Sequence, residues 1–502
     1  SPKPEVNLAE RWKHYPQWFL RMPRSPGAGG QAHDYPLTFR MGAMGAYAVT
    51  IPAGHKIALR AVADGKAVRK YGQIIGFAKG DVVPGEHVHS HNLVMKPYER
   101  EHSFSADYSA TEFYPEAERR TFMGFARPGG RAATRNYIAV ISNVNCSNSV
   151  SRYVVERFRG EGFQKEYPGI DGVIALKTQG GCGIDPGGPM QIIRRTLGNM
   201  ARHPNISGYV MIGLGCEDNQ IRGIREDYNL DDLREGEIPP EFMTIQGTGG
   251  SLKTIEAAVK AVEKILPKVA DVKRTEQPLS KLVLAENCGG SDGNSGCTAN
   301  PALGVASDEL VRHGGTSVLA ETTEIYGAEH LLTNRAVAPE VAEKLMRQIH
   351  WWEDYARRHD STIDNNPSVG NKEGGLTTIY EKSLGALAKG GQAPLMAVYD
   401  YAELIDTPGF GFMDTPGYDP VSMTGLVAGG CNVGVFTTGR GSVYGCKPAP
   451  CIKVATNTAL YNWMEEDMDL NAGTIIDGTE TIQEVGSRIF KKIITVANGE
   501  KT

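Results

Sequence analysis

Five cysteines stand just beyond segments that read as β-strands, and four of the five are flanked directly by glycine. Cys146 follows residues 137–141, Cys182 follows 173–176, and Cys216 follows 209–212. Cys288 follows 282–285, and Cys446 follows 433–436 after a longer loop. In open α/β sheets ligands bind outside the carboxyl ends of the strands, so these thiols are candidates for a shared site, with Cys216, Cys288 and Cys446 as candidate metal ligands. Buried structural cysteine is the competing reading for any single one; the repeated placement points to at least two lining one site. No C-x-x-C pair exists, which excludes a zinc ribbon. Cys446 and Cys451 are spaced C-x4-C, but Val454 stands where a plant-type ferredoxin needs its third cysteine. A metal would therefore draw ligands from distant segments.

A second constellation is His87-Val88-His89-Ser90-His91. Extended backbone turns all three imidazoles to one side, a way to present metal ligands or a general base, with His89 and His91 as candidates; a solvated His-rich loop is the alternative. In the stretch from Arg127 to Asn136, Arg131 and Arg135 precede a strand, where arginine can grip a carboxylate bidentately, with Asn136 beside Arg135; surface charge is the competing reading, favoured on these residues alone. Asn287-Cys288-Gly289-Gly290-Ser291-Asp292 brings a thiol and a carboxylate together, and Asp292 is a candidate for ordering the site or for proton transfer. Thr437 to Ser442 and Gly445 to Pro448 add hydroxyls and the cations Arg440 and Lys447. Neither stretch has the G-K-[ST] ending of a P-loop, and no strand is followed by G-x-G-x-x-G. Gly289 to Gly293 spells G-x-S-x-G, but the expected helix waits until Asn300, too late for a nucleophile elbow. What remains is a thiol- and cation-rich site suited to a small anionic substrate.

The elements that must position these groups read as follows. Residues 1–46 form an arm, irregular and Pro-rich, whose Trp12, Tyr15, Trp18 and Phe19 are expected to dock it, against a neighbouring subunit for example. Residues 47–96 are a small domain of short β segments, and 97–120 a polar linker. Residues 121–275 form a first α/β domain with strands at 137–141, 173–176, 209–212 and 243–245, and helices at 147–158, 189–201 and 251–266. Residues 276–502 form a second, catalytic α/β domain. Its strands are expected at 282–285, 316–320, 395–398, 411–413, 433–436 and 474–476, with a helix over 337–358 and another capped by Asn300 with Pro301 at its first position. Alternating strands and helices predict two mainly parallel, helix-covered sheets behind the small β domain.

Bulk properties narrow the function. The chain has 502 residues, enough for two or three cores. A formal charge of -5 from 53 basic and 58 acidic residues, without a long basic run, argues against a nucleic-acid partner. No apolar run reaches the roughly 18 residues of a membrane helix. Eight cysteines are too few for a disulfide scaffold, and no signal-peptide core is evident. A cytoplasmic location is expected. Sixty glycines, many paired as at Gly180-Gly181, Gly249-Gly250, Gly289-Gly290 and Gly429-Gly430, fit backbone that approaches a ligand closely.

Over about residues 47–490 the chain resembles the altronate/galactarate dehydratase family, whose relatives include sulfo-lyases acting on sulfolactate. The motifs are Gly124-Phe125-Ala126-Arg127 with Thr134-Arg135-Asn136-Tyr137, Gly213 to Glu217, Cys288 to Asp292 with Thr298-Ala299-Asn300-Pro301, and Glu324 to Glu329. Asn366-Pro367, Gly370-Asn371-Lys372, Met413 to Gly417 and Gly445 to Pro448 complete them. Val88 to Leu93 looks like the end of the family's SAF-type domain. The resemblance implies a hydro-lyase dependent on Fe2+ or another divalent metal, with an iron–sulfur cluster as the alternative, acting on an aldonate or aldarate to give a 2-keto-3-deoxy acid. Glu286-Asn287, Cys297 and Cys451 depart from the family pattern and leave the substrate open. On this reading Arg135, Arg440 and Lys447 meet charge on the substrate, and Cys216, Cys288 and Cys446 hold the metal. His89 or His91 is a further ligand or the base. A homo-oligomer is expected. A sulfo-lyase or related β-eliminating enzyme is the runner-up, and a non-catalytic sugar-acid sensor the third possibility.

Overall fold

A computed structural model describes residues 34–40, 46–98, 100 and 102–502. The arm's aromatic cluster at Trp12 to Phe19 lies outside these residues. Inside the expected irregular arm, Asp34–Arg40 is a strand paired antiparallel with Ala46–Pro52. Tyr35, Leu37 and Phe39 stand two residues apart, a strand signature that Pro36 and the Pro-rich surroundings obscured.

The small β domain follows. Its strands Ala67–Lys70, Gln73–Ala78 and Leu93–Val94 form an antiparallel sheet, and Lys56–Ile57 pairs with His87–Val88. Ile75, Val82, Val88 and Leu93 are buried and join a cluster that continues into the last domain through Leu384 and Leu387. The domain is thus packed on its neighbour. The linker is stitched down as well: Ser105 and Asp107 donate backbone N–H bonds to the carbonyls of Thr333 and Asn334, and Tyr114 to Arg312.

The first α/β domain centres on a four-stranded parallel sheet in the order Gly172–Leu176, Tyr137–Ser142, Ile206–Gly213, Glu241–Thr244. Tyr137–Ser142 is buried throughout, as a central parallel strand covered on both faces must be. Helices Asn148–Glu156 and Ser251–Val269 cover one face, and Gly188–Ala201 with Ile221–Asp227 the other. A separate antiparallel ribbon of Thr121–Arg127, Arg131–Ala133 and Thr275–Pro278 brackets this domain.

The last domain carries seven parallel strands in the order Leu395–Tyr399, Gly409–Met413, Thr316–Leu319, Val283–Cys288, Val433–Thr438, Cys451–Ala455, Leu470–Asn471. The chain starts at the fourth of these, builds outward to one side, then returns to build the other. The crevice between Val283–Cys288 and Val433–Thr438 is therefore a topological switch point, where such sheets bind ligands. Helices Ala299–Arg312 and Ile482–Ala497 pack one face with Leu303, Leu310, Ile489 and Ile493. Asp419–Ala428 covers part of the other face with Met423, Leu426 and Val427.

Three expectations are corrected. Residues 474–476 are not a strand: Gly473–Ile475 is a 3-10 turn, and Asp477 and Gly478 return their N–H groups to the carbonyls of Gly473 and Ile475. The sequence reading places no strand at Cys451–Ala455, which follows Pro448 and Pro450 yet is wholly buried in the sheet. Asn300 is not a helix cap. Thr298 holds that place, and the Asn300 amide bridges the Gly385 carbonyl and the Thr437 hydroxyl inside the core. No helix of the described residues is long and apolar enough to cross a membrane.

Candidate active site

At the switch point, Cys288 ends its strand and is buried. The neighbouring strand Thr316–Leu319 runs into a 3-10 turn, Thr322–Glu324, that presents Glu321 and Glu324 three residues apart, on one side of the turn. Ligand atoms of Cys288, Glu321 and Glu324 lie within 4.8 Å of one another, and all three residues are buried. Glu321 has φ of 74°, a left-handed conformation that side chains rarely adopt and that accumulates at functional sites. Its Oε1 is buried and accepts no hydrogen bond.

Two buried lysines face this triad. Lys389 Nζ lies 2.9 Å from Cys288 Sγ and 3.4 Å from Glu321 Oε2. Lys382 Nζ lies 2.7 Å from Glu324 Oε1, and the Asn366 amide donates to the same oxygen at 2.8 Å. Lys382 sits on helix Ile379–Leu387 and Lys389 in the turn that continues it, seven residues on, so both reach the same side. Burial alone would lower both amines. Negative charge nearby outweighs it and raises them, that of Glu324 foremost for Lys382 and, for Lys389, that of the Cys288 sulfur when ionised and then of Glu321 and Glu324. Burial, then the Glu324 charge, pushes the Glu321 carboxyl up, while Lys382 and Lys389 overcome burial and hold Glu324 low. Burial pushes the Cys288 thiol up to about 12, with Lys389 opposing.

A third carboxyl completes the rim. Asp419 opens helix Asp419–Ala428, and its Oδ2 accepts from the Ser442 hydroxyl at 3.1 Å. It stands so close to Gly289 that a β-carbon there would collide with it, which explains a glycine directly after Cys288. The backbone N–H groups of Gly439 and Arg440 close the crevice onto the Gly290 carbonyl, at 3.0 and 2.7 Å. The Arg440 guanidinium, half-exposed, lies 3.5 Å from Glu373 at the mouth.

The small β domain meets the same rim. His89 Nε2 is 2.8 Å from the Lys372 carbonyl, and His55 Nε2 is 3.0 Å from that of Glu373. The rings of His55, His87, His89 and His91 gather with centroids 4.9–5.5 Å apart. The histidines cluster, with His55 as an additional member, although the backbone is extended only at His87–Val88 and turns at 89–92. Burial, then repulsion from His55 and the other imidazoles, pushes His87 down to about 4. Backbone contact is tight here, since a side chain on Gly293 or Gly375 would strike the Gly54 carbonyl. Lys56 and Lys70 reach across to Glu381 at 2.8 and 2.9 Å and fasten the domain.

The remaining expected site residues lie elsewhere. Cys216 is on the first α/β domain, on the loop after Ile206–Gly213, whose neighbouring loops carry Cys146 and Cys182. Cys446 is buried in a core cluster with Cys431 and Cys451. Lys447 is exposed and lines a groove with Arg159, Asp171 and Lys177. Arg135 spends its donors on the carbonyls of Thr134, Val496 and Glu500, which ties the C-terminal segment down. The Asn136 amide bridges Arg127 to the carbonyls of Gly169 and Val269. Asp292 is buried under bonds from Ser295, Asn294, Thr456 and Asn457 and shapes the loop after Cys288. Sequence reasoning missed Glu321, Glu324, Lys382 and Lys389 as site residues. The glutamates follow a strand end, the signal that marked the cysteines; the lysines carried only their seven-residue spacing.

Cys288, Glu321 and Glu324 constitute a possible metal-binding triad: the donor set is mixed sulfur and oxygen, and one buried carboxylate oxygen of Glu321 has no hydrogen-bond partner.

Three successive segments of the chain match known protein families. Residues 44–96 match the altronate/galactarate dehydratase SAF domain. Residues 124–270 match the second domain of D-galactarate dehydratase/altronate hydrolase, and 279–502 the D-galactarate/altronate dehydratase C-terminal domain. An altronate dehydratase of Bacillus subtilis (strain 168) is 36% identical over 454 residues, 90% of this chain and 88% of that protein. A galactarate dehydratase (L-threo-forming) of Escherichia coli (strain K12) is 38% identical over 458 residues, 90% and 87% of the two chains. The (2R)-sulfolactate sulfo-lyase subunit beta of Chromohalobacter salexigens is 30% identical over 392 residues, covering 77% of this chain and 95% of that subunit. With its domains matched in order and nearly all of its length aligned, the chain belongs to the D-galactarate/altronate dehydratase family.

Proposed function

We propose that this protein dehydrates a sugar acid, an aldonate or aldarate, to a 2-keto-3-deoxy acid by metal-dependent β-elimination of water. The observation that supports it is the buried thiol–dicarboxylate–dilysine site at the switch point of a chain from this family.

The C2–H bond breaks and its electron pair forms the C2–C3 double bond as the C3 hydroxyl leaves with a proton, as water. The enol then tautomerises to the ketone. Cys288, Glu321 and Glu324 would hold the divalent metal, taken here as Fe2+; the iron–sulfur alternative called for three cysteines together, and this set offers one thiol and two carboxylates. When bound, such an ion supplies Lewis acidity toward the substrate's carboxylate and hydroxyl oxygens. Lys382 and Lys389 fix the carboxylates and keep positive charge where the enolate develops. Arg440 stands at the mouth to take the substrate carboxylate in place of Glu373. Asp419, raised by burial, is the rim carboxyl placed to carry a proton. The imidazoles of the small domain, including His89 and His91, line the entrance, and burial lowers those of His87 and His89. Arg135, Asn136, Asp292, Cys216, Cys446 and Lys447 have no substrate or metal contact in this mechanism.

The test is anaerobic purification, metal analysis, and a keto-acid assay over a panel of aldonates and aldarates. A keto-deoxy product that requires added Fe2+ and disappears in Glu321→Gln supports the reading. Sulfite release from sulfolactate without keto-deoxy product formation from any sugar acid would replace it with the sulfo-lyase reaction.

A further inference from the structure

Cys146, Cys182 and Cys216 take no part in the site around Cys288, yet they converge. Their loops leave Tyr137–Ser142, Gly172–Leu176 and Ile206–Gly213, which are neighbours in one sheet and parallel, so all three loops emerge at the same edge. Hydrogen bonds between the loops hold them together. The Asn145 N–H donates to the Gly180 carbonyl and the Asp218 N–H to the Cys182 carbonyl, each at 2.8 Å. The Asn143 amide donates to Glu217 at 3.0 Å. Cys146 Sγ lies 3.9 Å from Cys182 Sγ, and the Gln246 amide is 3.2 Å from Cys216 Sγ.

Packing does not account for these thiols, because Cys146 and Cys216 are exposed, Cys182 is partly so, and none is in a disulfide. A disulfide needs a sulfur separation of about 2.05 Å. Two thiolates on one tetrahedral ion, with metal–sulfur bonds of about 2.3 Å, stand about 3.8 Å apart, and the observed pair matches that spacing. The three sulfurs do not all fall within 4.8 Å of one another, so the Cys216 side chain, on an exposed loop, must turn inward or meet a centre wider than one ion.

We propose that Cys146, Cys182 and Cys216 form a second metal site, a three-thiolate seat with an open fourth position for a thiophilic centre, either a single Zn2+ or Fe2+ ion or an iron–sulfur cluster. Each sulfur–metal bond forms as the thiol releases its proton to solvent. The open position leaves room for water or a ligand oxygen, which distinguishes the seat from a closed structural site. This inference stands apart from the proposed dehydration and from the triad at Cys288.

The test measures metal and acid-labile sulfide per chain in the full-length protein, purified anaerobically and reconstituted with iron and with zinc. Wild type is compared with Cys288→Ser, with Cys146→Ser alone, and with the Cys146→Ser/Cys182→Ser/Cys216→Ser triple variant. The expected result is loss of about one centre per chain in the triple variant, with the thiolate-to-metal charge-transfer absorption of the cobalt-substituted protein reduced to what Cys288 alone can give. Cys146→Ser should weaken binding, and Cys288→Ser should retain the centre. Sulfide in the retained centre identifies a cluster and its absence a single ion; both sustain the proposal. A triple variant that keeps wild-type metal content and absorption would overturn it, as would a reconstituted wild type with no thiolate-bound metal.

Discussion

The two sheets of this protein present cysteines at the same place, the carboxyl edge of parallel strands, and make different environments of them. On the four-stranded sheet Cys146 and Cys216 are exposed, and Cys146 neighbours the Cys182 thiol. On the seven-stranded sheet Cys288 is buried with two glutamates, each ion-paired to a buried lysine. The difference lies in what covers the edge. The small β domain and helix Ile379–Leu387 close over the second site, and burial makes every charge there depend on a partner. Strand-end position marks where a ligand can bind; the covering layer decides which chemistry the site supports.

Removing charge from the buried site should have the largest effect. Glu321→Gln is expected to lower kcat about 1000-fold and to strip metal from the Cys288 site, read by steady-state kinetics and metal analysis. Near-wild-type turnover would mean that the buried triad is structural. The comparison also predicts unequal thiol reactivity. After chelation at pH 8, iodoacetamide should alkylate Cys146 and Cys216 roughly 100-fold faster than Cys288, whose thiol is buried and pushed up to about 12. Peptide mass spectrometry reads this directly, and equal rates would erase the distinction between the two edges.

The covering layer can be loosened separately. Glu381 is buried between Lys56 and Lys70, whose charges outweigh burial and hold its carboxyl far below the usual range. Glu381→Gln should cost about 3 kcal/mol in denaturant unfolding and leave Cys146, Cys182 and Cys216 as they were. Because this pKa is depressed on folding, its contribution is present above the unfolded value of about 4.3 and is lost as pH falls through the folded one. Wild type should therefore lose stability on acidification more steeply than the variant, as thermal midpoints from pH 6 to pH 3 would show.

Smaller effects belong at the mouth. Arg440→Ala should raise KM about 10- to 100-fold, as expected for a charged hydrogen bond worth about 1.5–3 kcal/mol, with kcat less affected. Lys447→Ala should change neither constant by more than about twofold, since Lys447 lies on the groove beside Asp171. A large loss in Lys447→Ala would mean that the two domains share one substrate site.

Much of the architecture was legible because period and punctuation are local. The strands at 137–141 and 433–436 are runs of buried apolar residues, and the helix over 337–358 appears as Pro339–Arg358 with Pro at its start. Gly473–Ile475 misled because two isoleucines in a short run do not fix a period, and Cys451–Ala455 was hidden by prolines that end before the strand. In the site, Cys288, Arg440 and the histidines were marked by strand ends and local clustering.

The sequence by itself determined the order of domains, the parallel sheets, the strand-end cysteines and the family. Only the tertiary structure separated Cys216 from Cys288, placed Cys446 in the core, turned Arg135 and Asn136 into struts, and brought Glu321, Glu324, Lys382 and Lys389 into one buried group. The reason is physical. Element type follows from residues a few positions apart, whereas the pairing of buried charges is set by which strands become neighbours and what covers them. Glu324 and Lys382 are 58 positions apart in the chain and 2.7 Å apart in the fold.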